Sequence, residues 1–251
     1  MMALVSSCSH NDEPTPKPDE PTGKAFKGII FAAGITNPEG NSGSVYMQNL
    51  PDMVPGNYDN SNGIPVGFGT APIVAKSGNI YVLPDYMGNT KAEITRYRIY
   101  SDNKWHKKGA LQIPPKAAAC CVTELNSEKA YVSLQGLGTI IVFNPTTMTR
   151  IAEIDLNGLK QADTNVAPAS MVIRDGKLFV GLNQMNAQYM PARNNIELAV
   201  IDTKTDKVEK HIVNQSLGMC FATRPIDPGS IFMDENKDIY INCIGSFGFI
   251  P

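Results

Sequence analysis

One hairpin is written into this chain four times. Ile73-Val74-Ala75 leads through a turn at Lys76-Ser77-Gly78-Asn79 into Ile80-Tyr81-Val82-Leu83. The same pattern returns as Val122 to Leu125, Asn126 to Lys129 and Ala130 to Ser133. It returns again as Met171 to Ile173, Arg174 to Lys177 and Leu178 to Val180, and then as Ser230 to Met233, Asp234 to Asp238 and Ile239 to Ile241. Short β-branched and aromatic runs separated by Gly, Asn, Asp and Ser read as antiparallel strands. Each copy sets an aromatic at one register: Tyr81, Tyr131, Phe179 and Tyr240. A shared register implies a shared packing environment.

A second hairpin follows three of these copies. Ile94 to Ile99 turns at Ser101-Asp102-Asn103-Lys104, Ile140 to Asn144 at Pro145-Thr146-Thr147, and Leu198 to Asp202 at Thr203 to Asp206. One module is therefore four strands. The matching aromatics stand 50 and 48 residues apart, then 61 where Asn183 to Arg193 reads as an insertion. Four strands every 40–50 residues, roughly, describe the blades of a β-propeller, in which each small sheet buries both faces against its neighbours. A β-sandwich is the alternative, and it needs no repeated register. Gly28 to Gly34 with Ser44 to Gln48 fits as a weaker first module, giving four modules and the beginning of a fifth. The fold expected is all-β, a propeller over 26–251 of about four to five blades that is incomplete, because the sequence stops within a blade: either the reading frame is truncated or the final strands come from elsewhere.

Composition narrows the class further. A net charge of −2 and a pI near 5.9 leave no electrostatic footprint for nucleic acid. No run approaches the roughly 20 apolar residues of a spanning helix. Cys120, Cys121, Cys220 and Cys243 form no C-x-x-C pair and have no His at ligand spacing, so free buried thiols are expected and structural zinc is not.

The first 25 residues differ from the rest. Leu4-Val5-Ser6-Ser7-Cys8 resembles the end of a bacterial lipoprotein signal peptide, which implies a lipid anchor on Cys8 and makes 1–8 a signal-peptide remnant. Residues 9–25 place Pro at alternate positions among acids, with almost nothing to bury, and read as a solvated tether. Acids directly after the cysteine resemble the surface-export signal of Bacteroidetes lipoproteins.

Three phrases carry a wider resemblance: Ala130-Tyr131-Val132, then Phe143 to Met148 with Glu153 to Leu156, and Arg174 to Val180. Together they resemble the uncharacterised β-propeller lipoproteins of Bacteroidetes, over Phe26 to Pro251. Some members sit beside TonB-dependent receptors and capture ferric siderophores. The resemblance implies an outer-membrane, cell-surface location, with the periplasmic face as the alternative. It also implies a small-molecule ligand, which a ferric siderophore would satisfy, and a TonB-dependent receptor as partner.

The chemistry-bearing residues are sparse. His10, His106 and His211 stand without an evident partner, and there is no nucleophile elbow, zinc-binding helix or phosphate loop. Gln135 to Thr139 reads as a tight turn. Asp85, Asp155, Asp202, Asp227 and Asp234 fall at strand ends, where carboxylates serve turns. No catalytic residue, metal or cofactor is therefore expected, and the chain reads as a binding protein and not an enzyme. The alternatives are a lactonase- or lyase-like propeller enzyme and a glycan- or protein-binding scaffold. The expected ligand site is the funnel formed by loops between second and third strands and between blades. Its candidate residues are Tyr86, Met87, Gln135, Gln184, Met185, Tyr189, Arg193 and Arg224, in which Arg meets anionic groups and Tyr and Met give adaptable contact.

Overall fold

The computed structural model describes residues 28–36, 42–50, 63–67, 72–85, 91–161, 164–187, 195–214 and 229–242. They form five antiparallel sheets in chain order. Sheet I holds β1 (Ile29–Thr36), β2 (Ser42–Leu50) and β3 (Ile64–Val66). Sheet II holds β4 (Pro72–Val74), β5 (Ile80–Val82), β6 (Glu93–Ile99) and β7 (Trp105–Gln112). Sheet III holds β8 (Ala119–Glu124), β9 (Ala130–Leu134), β10 (Thr139–Asn144) and β11 (Thr149–Asp155). Sheet IV holds β12 (Pro168–Arg174), β13 (Lys177–Leu182), β14 (Ile196–Asp202) and β15 (Lys207–Asn214), and sheet V the pair β16 (Ile231–Met233) and β17 (Ile239–Ile241). Among the described residues the one helical piece is a 3-10 turn, Asn157–Leu159.

Each sheet runs in chain order from first strand to last. The first strand β12 lies between the first strands β8 and β16 of the neighbouring sheets, and the last strands β11 and β15 face solvent. Such sheets, stacked face to face with first strands innermost, make up a β-propeller, here an incomplete one.

Sheet III shows why the sequence takes this form. Ala130, Val132, Leu134, Ile141 and Phe143 pack into the core shared with sheet II, with Ile73, Tyr81, Ile94 and Leu111. Their chain neighbours Tyr131, Ile140 and Val142 pack into the core shared with sheet IV, with Met171, Leu178, Val180 and Ile201. Side chains alternate across a strand. A strand buried on both faces must therefore be apolar without interruption, and Ile140-Ile141-Val142-Phe143 is. Each such side chain contributes about 1.5–3 kcal/mol. Tyr81 meets Phe143 edge-on across the seam, with centroids 6.1 Å apart.

The turns repeat as closely as the cores. The last hairpin of sheets II, III and IV carries one residue in the left-handed region: Asn103, Met148 and Asp206, with φ of 56°, 57° and 56°. Asn144 Oδ1 accepts from the amides of Thr146 and Thr147, and Asp202 Oδ1 from those of Lys204 and Thr205. A bulge interrupts the register at one place in all three sheets, after Arg96, Val142 and Val200, leaving Lys108, Ile151 and Glu209 as the extra residues. Asp155 and Asp234 accept from the backbone amides of Asn157 and of Asn236 and Asp238, so these carboxylates serve turns as their positions suggest.

Candidate functional site

A cleft of about 720 Å³ opens at the end of the sheets that carries the β4–β5, β8–β9 and β10–β11 turns. Its apolar floor comes from inner strands of successive sheets, including Val74, Val122, Val172, Ile173 and Met233. Sheet II supplies one wall with Arg96, Arg98, Tyr100 and Lys108, and the β4–β5 turn adds Lys76 and Asn79. Sheet III supplies the other with Thr123, Glu124, Asn126, Ser127 and Thr146. Among the described lining residues there are thus four cations and one carboxylate, in a chain of net charge −2.

Strand alternation puts Arg96, Arg98 and Tyr100 on one face of β6. The Arg96 guanidinium donates to three backbone oxygens: Lys108 O at 3.2 Å, Thr146 O at 3.1 Å and Pro145 O. Two of these lie on the β10–β11 turn, so the side chain ties sheet II to sheet III. Its Nε is buried and meets no acceptor among the described residues. Arg98 donates from Nε to Asn79 Oδ1 at 3.2 Å and from Nη2 to Ser77 O. Among the described residues, then, both guanidinia are held by carbonyls and an amide. Lys108 Nζ stands 5.0 Å from the centre of the Tyr100 ring. Glu124 Oε1 accepts from Tyr81 Oη at 2.6 Å and from Asn79 Nδ2 at 2.7 Å. Burial, and then this bond, push the Tyr81 hydroxyl far above its ordinary pKa, so it stays a donor.

The repeats show which of these groups the fold does not require. Arg96 pairs with Tyr81 where Val142 pairs with Tyr131 and Val200 with Phe179. At the bulge, Lys108 stands where the other sheets have Ile151 and Glu209. Two residues past the bulge in the third strand, Arg98 stands where Asn144 and Asp202 cap their turns. Sheet II is thus cationic at three positions where its neighbours are apolar, amide or acidic. That signal is present in the sequence once the second hairpins are aligned, whereas the loops at the other end of the sheets carry no such contrast.

Those loops carried the expected site. Gln135 is 2% exposed, and both heteroatoms of its side-chain amide are buried without a partner among the described residues. Gln184, 1% exposed, accepts from Gln161 N and Thr164 Oγ1 and donates to Leu159 O and Glu197 Oε2, which ties down the connection between sheets III and IV. Met185 is buried beside Asn165, with which it exchanges backbone hydrogen bonds. Tyr86, Met87, Tyr189, Arg193, Arg224 and Cys8 lie outside the described residues, as do Cys220 and Cys243. Cys120 and Cys121 are buried, and neither forms a disulfide among the described residues.

Two histidines expected to stand alone have partners. His106 Nε2 lies 2.7 Å from Asp102 Oδ2 on the outer hairpin of sheet II, and His211 Nε2 lies 2.9 Å from Glu197 Oε2. Pairing in a sheet joins residues remote in sequence, so Glu197 and His211 meet across β14 and β15. The described residues contain no group of three or more His, Cys, Asp and Glu arranged to hold a metal.

No protein-family model and no curated protein matches this chain. Solved structures match in fold. The Kuenenia stuttgartiensis hydrazine synthase shares 12% identity at a TM-score of 0.50, over 83% of this chain and 51% of that one. A streptogramin B lyase shares 11% at 0.44 over 87% and 54%, and the Myxococcus xanthus glutaminyl cyclase 8% at 0.43 over 79% and 77%. This chain spans about half the length of the first two. The likeness is one of fold alone, and it corrects one expectation: the absence of a catalytic motif does not make this chain a non-enzyme, since the hydrazine synthase, at a TM-score of 0.50, shares its architecture. What the chain is similar to, by these matches, is a set of β-propeller proteins that includes enzymes.

Proposed function

We propose that this chain is a ligand-binding β-propeller whose ligand is a small, multiply anionic molecule held in the cleft between sheets II and III. One observation carries the reading: among the described residues, Lys76, Arg96, Arg98 and Lys108 line the cleft together with Glu124. Charge gathered in a concave, partly apolar site attracts an oppositely charged ligand and holds it more strongly than an open surface would. A ferric siderophore fits this chemistry, because its catecholates or carboxylates give several anionic oxygens on a bulky apolar body. In the same reading Cys8 anchors the chain at the outer surface of the cell, and the ligand passes to a TonB-dependent receptor. The test is a titration of the full chain with a ferric tris-catecholate and with ferric citrate at low and high salt, followed by intrinsic fluorescence. Saturable binding weakened by salt is expected. Failure of both to bind removes the siderophore.

A second reading rests on Glu124. Its Oε1 is fixed by Tyr81 and Asn79 at the wall of a cationic cleft. A fixed carboxylate facing bound anionic substrate is the arrangement of a general base beside groups that stabilise developing negative charge. In this reading the propeller is an enzyme. Mass spectrometry of a bound anion after prolonged incubation decides it: a changed ligand mass, abolished in Glu124→Gln while binding persists, is expected. Ligand recovered intact sinks the enzymatic reading.

A further inference from the structure

The cations of the cleft do not come from one place. Arg98 projects from β6, Lys108 from the bulge on β7 and Lys76 from the β4–β5 turn, three separate backbone segments that meet at one wall. A bulge re-aims the side chain it carries, and here it brings Lys108 over Tyr100. Arg98 is already held from behind by Asn79 and Ser77, and Arg96 is spent on the carbonyls of Pro145, Thr146 and Lys108. Arg pairs in a planar fork with carboxylate and phosphate alike, while Lys binds phosphate as a point charge. Donors from three segments suit a tetrahedral anion with oxygens in several directions.

Resting on the anion-binding reading above, we infer that the group recognised at this wall is a phosphate, carried as a phosphomonoester or diphosphate on a small molecule. Arg98 and Lys108 make the direct contacts. Arg96 is a positioning residue, which fixes the β10–β11 turn and thereby the far wall. The repeats support this division: sheets III and IV pack and turn equally well with Val142 and Val200, Ile151 and Glu209, Asn144 and Asp202 at the corresponding positions. The packing and turns of those sheets do not call for cations there.

The experiment is calorimetric titration of the full chain with inorganic phosphate, pyrophosphate, citrate and a ferric tris-catecholate, at two salt concentrations. Pyrophosphate is expected to bind at least tenfold more tightly than citrate, and phosphate measurably. Arg98→Gln and Lys108→Gln should each weaken pyrophosphate at least tenfold, while Lys207→Gln on the outer strand of sheet IV should not. Should Arg98→Gln fail to fold, Lys108→Gln carries the test, since its side chain leaves the tie between sheets II and III intact. Arg96→Lys should alter amide exchange across residues 144–149 as well as affinity, which a merely electrostatic contribution would not. Binding of citrate or catecholate without phosphate or pyrophosphate overturns this inference and leaves the anion reading standing. Binding of none of the four overturns both. Pyrophosphate binding unaffected by Arg98→Gln and Lys108→Gln also overturns it, because the anion then sits elsewhere.

Discussion

Tyr131 is fully buried, and its hydroxyl donates to Asp206 Oδ1 at 2.9 Å, while Lys129 Nζ meets Asp206 Oδ2 at 2.7 Å. The bond crosses from sheet III to the β14–β15 turn of sheet IV, so one hydroxyl ties two sheets. Removing it in Tyr131→Phe leaves a half-buried carboxylate oxygen short of a donor, at a cost of about 1–3 kcal/mol. Tyr240, at the same register, is 46% exposed and donates to Asp234 of its own hairpin. Tyr240→Phe should therefore stay within about 0.5 kcal/mol of the parent. Urea unfolding measures both, and equal losses would remove the inter-sheet account of the register. Charge at the residue scale gives a second expectation. Hydrogen bonds from Lys91 and then Gln112 hold the Glu93 carboxyl down at about 2. A carboxyl whose folded pKa lies below its unfolded one adds stability in full above the unfolded value. That contribution is lost as pH falls through the folded value, from about pH 5 down to about pH 2. Glu93→Gln should flatten the acid limb of stability against pH over that window. The effect should shrink in high salt, because Lys91 is 71% exposed and its interaction is screened. An acid limb identical in parent and variant counts against it.

At the scale of the element, β10 and β6 are the same strand put to different uses. Val142 is fully buried in the core between sheets III and IV, whereas Arg96 at the matching position opens onto the cleft and reaches backbone carbonyls. A charge placed where no partner waits costs several kcal/mol. Val142→Arg is therefore expected to destabilise by about 3 kcal/mol or more, to the point of preventing soluble expression. Arg96→Met keeps the unbranched stem of the side chain and gives up hydrogen bonds to carbonyls next to an open cleft, at a cost of about 1–3 kcal/mol. Thermal unfolding of the pair measures the difference, and two equal losses would mean that the positions are not distinguished by their surroundings. The bulge after each position is the device that allows this, since it lets one strand carry an extra residue without shifting the apolar register beyond it.

For the molecule as a whole, stability should follow the stacking of sheets. Sheet III is covered on both faces, and Tyr131, Val132, Ile140, Ile141 and Val142 are fully buried. Sheet V exposes Phe232 and Tyr240 at 50% and 46%, stacked on each other. In stacked-repeat architectures each unit is held chiefly by its neighbours. Amides of β9 and β10 should then exchange with solvent about a hundredfold or more slowly than those of β16 and β17. Uniform exchange would show a single cooperative unit instead. The chain's own residues spelled out much of this architecture. A strand that is apolar at every position, such as Ile140 to Phe143, must be covered twice, and an aromatic recurring from Tyr81 to Tyr131 to Phe179 must find like surroundings in successive sheets. Those local rules determined the hairpins, the turns at Asn144 and Asp202 and the stacking of four-stranded sheets. The cleft was not legible in the same way. Gln135 and Gln184 were plausible ligand residues in their loops, yet one is buried and the other is wholly engaged in holding the chain connection. Arg96, Arg98 and Lys108 looked like ordinary polar positions of strands. Only the tertiary arrangement brought β6, β7 and the β4–β5 turn against β8 and the β10–β11 turn. Sequence determines what each strand must bury; which polar groups then meet across a seam depends on how the sheets stack, and no local pattern encodes that distance.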